Sequence, residues 1–226
     1  MPKNFKAIVI DNKDEKFTRE VKDLNSDHLK DGNVLVRIDF SSLNFKDALI
    51  LNNGGRIVKK YPFVPGIDFS GTVEESEDEK FKKDDKVILT GFRVGEIYYG
   101  GFSQYAKVNS DFLVKLPKDL TNKKAMMMGT AGLTALLCSF AVKAKEELLM
   151  GSKVKDVLVT GATGGVGSFA VMALSKMGYD VHAVTGKKDK HDYLKKLGAK
   201  NILDRKEFCL LYTSPSPRDQ RGSRMP

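Results

Sequence analysis

Cysteine is scarce in this chain of 226 residues: there are two, Cys138 and Cys209, in neither a paired nor a metal-type spacing. That argues against a disulfide framework and a zinc knuckle, and it fits a reducing compartment. Histidine is as sparse, and His28, His182 and His191 stand isolated, so each reads as a surface or strand residue rather than a metal ligand. The opening MPKNFKAIVIDNKDEK lacks the long apolar stretch of a secretory signal. A long basic block is missing too, although the net charge is +9. A basic balance admits nucleic acid, an anionic membrane or a phosphorylated small molecule as partner. Here the lysines are scattered among Asp and Glu, which reads as a solvated surface. No base-stacking aromatic stripe or basic helix supports nucleic acid.

What is present is enough chain for one large or two small domains with a real core. The uncharged stretch Ala125–Val142, AMMMGTAGLTALLCSFAV, approaches membrane-spanning length, but Gly129, Thr130, Gly132, Thr134 and Ser139 dilute it. A buried helix of a soluble protein is expected, and no membrane. Before it, FKAIVI, NVLVRIDFSSL, IDFSGTVEE, DKVILTG, FSQYAKV and FLVKL read as short strands, with turns at Asp31-Gly32, Asn53-Gly54-Gly55, Pro65-Gly66 and Gly100-Gly101. The charged run EESEDEKFKKDDK reads as a solvated loop. Many short strands so punctuated predict a small barrel or sandwich. After about Thr121 the pattern changes to a helix ending near Lys145, then strand Val157–Thr160, a helix, strand Asp180–Thr185, a second helix and strand Asn201–Asp204. That is the layout of a doubly wound parallel sheet. Val166, Phe169, Ala170, Ala173, Leu174 and Met177 make the expected apolar face of the first of these helices, with Gly178 as its stop.

Where strand becomes helix the chain reads VTGATGGVGS (Val159–Ser168). The missing Cβ of Gly164 and Gly165 lets backbone approach a pyrophosphate, and Gly167 lets the helix approach the strand. Helix-start N–H groups and the helix dipole favour an anion there. With a strand before, a helix after and a second strand in register, the turn predicts dinucleotide binding. NAD sites place Asp or Glu at the end of the next strand, on the ribose hydroxyls. Here that position reads Thr185, Gly186, Lys187, Lys188, with no carboxylate before Asp189. A hydroxyl, a glycine and cations suit a 2′-phosphate, so NADPH is the expected cofactor.

SSLNFKDAL (Ser41–Leu49), PGIDFSGTV (Pro65–Val73), LTGFRVGE (Leu89–Glu96), GGFSQYAKV (Gly100–Val108), GTAGLTA (Gly129–Ala135), VTGATGGVGS and HDYLKKLGA (His191–Ala199) together resemble the zinc-independent medium-chain dehydrogenase/reductases. The similarity is to the branch of NADPH-dependent acrylyl-CoA reductases and quinone-oxidoreductase-like proteins, over Ala7 to Phe208. It implies an α/β protein: a GroES-like β-barrel catalytic domain over residues 1–120 and a Rossmann cofactor domain from 121. It also implies a cytoplasmic homodimer acting on a small molecule. Pyrophosphate would lie over Thr163, Gly164, Gly165 and Val166, and the 2′-phosphate at Thr185, Gly186 and Lys187. The nicotinamide would lie near Phe45 and Thr130–Thr134, with Thr130 and Thr134 as contacts. Hydride would pass to the β-carbon of an enoyl thioester, with a quinone or enone as alternative substrate. Asn44 would polarise the carbonyl, or else serve as a helix cap. Zinc-dependent relatives carry Cys near Asn44 and Gly-His-Glu at Gly66-Ile67-Asp68, so no metal is expected. Two further departures are Phe45 for the usual Tyr and Lys187 for the frequent Arg. From Cys209 the chain reads as a foreign tail, residues 209–226, which would leave the Rossmann domain incomplete at 208 and this polypeptide poorly stable and inactive.

Overall fold

The computed structural model describes residues 2–13, 16–29, 32–52, 57–148 and 155–206. Asp31, the Asn53-Gly54-Gly55 turn and the segment from Phe208 onward lie outside the described residues. The chain divides into two compact units, one up to Thr130 and one from Ala131.

In the first unit β1 (Phe5–Lys13) and β2 (Lys16–Leu24) form an antiparallel hairpin. A five-stranded antiparallel sheet holds β3 (Val34–Phe40), β4 (Asp68–Ser76), β5 (Lys86–Thr90), β6 (Tyr105–Val108) and β7 (Val114–Lys115), in the order β6-β3-β4-β5-β7. A short helix, α1 (Phe45–Leu51), lies in the connection from β3 to β4. Strand alternation sorts the core: Val34 and Val36 pack with Phe69, Val73, Val87 and Leu89 on one face of β3. Leu35 packs with Phe5, Ala7, Val9 and Val64 on the other. Each such side chain, taken fully out of water, contributes about 1.5–3 kcal/mol.

Two details differ from the sequence reading. β2 buries apolar side chains only at its ends, Phe17 and Leu24, while Val21 is exposed and charged residues fill the middle, so pattern alone does not mark it; backbone pairing with β1 defines it. The charged run after β4 is not wholly solvated, because Phe81 is buried in the main cluster of this unit.

The second unit holds β8 (Asp156–Val159), α3 (Gly165–Lys176), β9 (Asp180–Thr185), α4 (His191–Lys196) and β10 (Ala199–Asp204). The strands are parallel in the order β10-β9-β8, so β9 is central, and its Val181, Ala183 and Val184 are buried. On α3 the sheet-facing residues are Ala170, Val171 and Leu174, with Phe169 and Met177 partly buried. Val166 is exposed instead of sheet-facing, because it sits in the first turn, where the helix has only just left the glycine turn.

The apolar stretch forms α2 (Asn122–Leu148), interrupted at Gly129 with φ 50° and ψ −154°. A side chain at this left-handed position would be strained, and its Cβ would stand 2.5 Å from Ser42 Oγ. By length and composition α2 is apolar enough to cross a membrane, but Gly129 breaks it into two helical pieces. The expected buried helix is only partly buried: Ala125, Met126, Ala135 and Ser139 are covered, whereas Leu133, Leu136, Leu137 and Phe140 are exposed. In the second unit the small residues Ala135 and Ser139 share the covered face, and the large ones point away from it.

Candidate functional site

In the second unit the turn between β8 and α3 is closed by Gly164 N–H donating to Gly161 O (2.9 Å). Ala162 N–H donates to Val184 O (3.3 Å), which ties the turn to the end of β9. A Cβ on Gly167 would stand 2.3 Å from Gly161 O and 2.8 Å from Ala162 Cα, so packing dictates that glycine. An added Cβ would stand 3.3 Å from Gly161 O at Gly164 and 3.3 Å from Ala131 Cβ at Gly165, tight but well short of the Gly167 clash, and both glycines are exposed. Their bareness therefore serves the open face of the turn more than its packing. No side chain caps α3 at Gly164, so the first-turn amides of Gly165, Val166 and Gly167 are left for a group outside the helix. Amides and helix dipole together suit a phosphate there, and the turn fits a pyrophosphate.

At the end of β9, Thr185 is buried and its Oγ1 accepts from Lys187 N–H (3.1 Å). Gly186, Lys187 and Lys188 are exposed. Asp189, the first carboxylate to follow along the chain, pairs with Lys190 at 3.1 Å, and that hydrogen bond holds it below the usual carboxylate range. Across the sheet Asp204 stands in register with Thr185, and its Oδ1 accepts from Lys206 N–H (2.8 Å). Lys187 has no ion-pair partner among the described residues. Arg205, just after β10, stands close by: its Cβ is 4.0 Å from where a Gly186 Cβ would be. Sequence reasoning passed over Arg205; the signal was its place as the first cation after the third strand.

In the first unit the segment from β3 to α1 is organised by two fully buried carboxylates, Asp68 and Asp47. Asp68 accepts from Ser42 N–H (2.9 Å) and Ser42 Oγ (2.6 Å), from Asn44 Nδ2 (3.0 Å), and from Thr130 N–H (3.0 Å) and Oγ1 (2.7 Å). Asp47 accepts from Asn44 N–H (2.8 Å) and Ile67 N–H (3.0 Å). Burial pushes the Asp47 carboxyl up, against those hydrogen bonds. Asn44 caps α1 in a reciprocal capping box with Asp47, and its Nδ2 also donates to Ser42 Oγ (3.0 Å). The Asn44 carboxamide is thus engaged inside the fold, its Nδ2 facing both Ser42 Oγ and Asp68 Oδ2, which is the geometry of the cap. Phe45 follows it with its ring exposed, and Lys46 reaches Glu96 at 2.7 Å.

The expected site residues fall into two sets. Asn44, Phe45 and Thr130 come together in the first unit around Asp68. Thr163 to Val166 and Thr185 to Lys187 come together in the second, and Thr134 is exposed on α2. Asp68 was noted in the sequence only as the counterpart of a metal-ligand position; its role as the hub of Ser42, Asn44 and Thr130 was missed. The signal available was a carboxylate embedded in the apolar run of β4. Among the described residues no three His, Cys, Asp or Glu side chains are placed to hold a metal ion.

Residues 30–118 match the alcohol dehydrogenase GroES-like domain. The chain is 50% identical over 206 residues to acrylyl-CoA reductase AcuI of Ruegeria pomeroyi, covering 90% of this chain and 62% of that protein. It is 42% identical over 203 residues to the putative quinone oxidoreductase YhfP of Bacillus subtilis, covering 90% and 61%. The crystal structure of that protein, solved with NAD bound, superposes with a TM-score of 0.82. The structure of Escherichia coli K-12 YhdH with bound NADPH superposes with a TM-score of 0.82 at 46% identity, covering 89% and 62%. The chain thus spans about three fifths of the length of each of these proteins.

Proposed function

Because the chain belongs to the medium-chain dehydrogenase/reductase family, in the branch of the acrylyl-CoA reductase and quinone oxidoreductase relatives, we propose that it is the greater part of an NADPH-dependent reductase of an activated carbon–carbon double bond. The preferred substrate is acrylyl-CoA, reduced to propionyl-CoA. The observation that carries the reading is the open glycine turn beside Thr185-Gly186-Lys187, where no carboxylate follows along the chain before Asp189, itself held by Lys190. NADPH, when bound, supplies the hydride that goes to the β-carbon of the enoyl thioester.

The chain's own residues bind and orient. Thr163, Gly164, Gly165 and Val166 hold the pyrophosphate through main-chain N–H groups. Thr185, Gly186 and Lys187 hold the 2′-phosphate, and Arg205 adds a second cation to that pocket. A guanidinium there restores the fork that a lysine lacks. Asn44 is a positioning residue, because it caps α1 and its Nδ2 faces Asp68 and Ser42: it fixes the start of α1 and with it the exposed Phe45 ring, which offers a stacking surface. Thr130 is held by Asp68 in the same way, and Thr134 is a further cofactor contact. The whole enzyme is a soluble, cytoplasmic homodimer.

Calorimetric titration of the chain with NADPH and NADH tests this reading. NADPH should bind at least about tenfold more tightly, the worth of one charge-assisted contact, and Lys187→Ala should erase most of that gap. Equal affinity for the two cofactors in the unaltered chain would end the proposal. The second reading, a quinone or enone reductase, is favoured by the likeness to YhfP. Turnover of acrylyl-CoA against a naphthoquinone by the whole enzyme separates the two.

A further inference from the structure

The first unit contains a cavity of about 610 Å³ between the segment 57–63 and the loop 91–99. Its walls include Lys59, Lys60, Arg93, Ile97, Tyr98 and Tyr99. We propose that this pocket anchors the phosphorylated nucleotide end of a coenzyme A thioester, apart from the reacting acyl group. The proposal rests on the thioester reading of the substrate given above.

Charge comes first. Lys59 and Lys60 are exposed and have no carboxylate partner among the described residues. The one carboxylate lining the pocket, Glu96, is shared: its Oε1 lies 2.7 Å from Lys46 Nζ and its Oε2 lies 3.7 Å from Arg93 Nε. The pocket therefore keeps an excess of positive charge, which a phosphate would neutralise and a neutral quinone would not.

Rigidity comes next. Phe92 and Arg93 both adopt left-handed backbone (φ 52° and 62°), unusual for consecutive residues that are not glycine. Such conformations persist where surrounding structure over-determines them, and they cluster at ligand clamps. Here the Arg93 carbonyl accepts from the amides of Glu96 (3.1 Å), Ile97 (2.9 Å) and Tyr98 (3.4 Å), and Phe92 stacks on Phe112 with centroids 4.8 Å apart. These contacts fix the point from which the Arg93 side chain leaves the loop. The opposite wall is held by Tyr99 of the same loop, whose hydroxyl donates to Pro62 O (3.1 Å) and whose ring packs edge-on against Phe63. The Tyr98 ring, partly exposed and held against Phe112 with centroids 5.7 Å apart, and the exposed side chain of Ile97 offer apolar surface for an adenine. Cations beside an aromatic face are the chemistry of a phosphorylated adenosine.

The test is calorimetry of coenzyme A added to the 226-residue chain, alone and with NADPH present, so that binding at the pocket is read apart from the glycine turn. Coenzyme A should bind one to one, dephospho-coenzyme A more weakly, and pantetheine not measurably. The double variant Lys59→Gln/Lys60→Gln should weaken coenzyme A at least about tenfold, the equivalent of one lost charge-assisted contact. Its far-ultraviolet circular dichroism should be unchanged, because both side chains are exposed. Arg93→Gln should weaken binding in the same direction. Coenzyme A that fails to bind, that binds the double variant as tightly as the unaltered chain, or that pantetheine matches would overturn the anchor. If NADPH still binds in that event, the reductase reading stands without the pocket. If coenzyme A binds as expected while NADPH does not, the pocket stands and the reductase reading falls.

Discussion

A carboxylate sealed from water needs donors all round it, and Asp68 has Ser42, Asn44 and Thr130 supplying them. Removing the acceptor strands those donors in the interior. Asp68→Ala is expected to cost at least about 3 kcal/mol, since several neutral donors are left unsatisfied at about 1–3 kcal/mol each. Asn44→Ala loses a cap and one of those donors and is expected to cost about 1–2 kcal/mol. Urea melts of the two variants check both values, and an Asn44→Ala loss equal to that of Asp68→Ala would mean that Asn44 is the hub instead. The helix-cap alternative for Asn44 was legible in the sequence, as an Asn after a strand. The hub was not, because a lone Asp among apolar residues gives no sign of which distant hydroxyls will reach it.

Elements were legible where one period ruled. β9 falls on Asp180–Thr185 as expected, with Val181, Ala183 and Val184 buried and the polar Asp180 and His182 alternating with them. β2 was illegible because its stability lies in pairing, not pattern. The glycine turn was legible in outline, but only the structure separates Gly167, required by packing, from Gly164 and Gly165, whose bare faces stay open. Gly167→Ala should therefore destabilise by at least about 1–3 kcal/mol through overpacking, with NADPH binding lost alongside, whereas Gly165→Ala should spare the fold and weaken only the cofactor. Thermal melts paired with NADPH titration distinguish the two substitutions. Between β9 and β10, Asp180 lies 2.7 Å from Lys200 and 3.5 Å from Lys155, and the Lys200 hydrogen bond holds its carboxyl below the usual range. A folded-state value so lowered gives stability that is present above the unfolded value and fades as pH falls through the folded one. Lys200→Gln should accordingly flatten part of the acid limb in melts taken from neutral pH downward; an unchanged limb would remove this pair from the acid response.

For the whole molecule, the switch from alternating strands to helical spacing near Thr121 marks where α2 begins. It does not mark Thr130, where the first unit ends, because that point depends on the left-handed Gly129 and on Thr130 bonding to Asp68. If NADPH lodges on the glycine turn, a concentration about a hundredfold above its Kd should stabilise the chain by about 2.7 kcal/mol. Chemical melts with and without NADPH measure that, and the Gly167→Ala chain should show no such gain. The Asp68 hub also bears on protein engineering. Planting Cys at 44 and His at 67 would supply two soft donors for zinc, yet the oxygens of the neighbouring carboxylate would remain occupied by a serine and a threonine. A metalloenzyme will not emerge from this scaffold by swapping the obvious pair of side chains; those hydroxyls would first have to be cleared away.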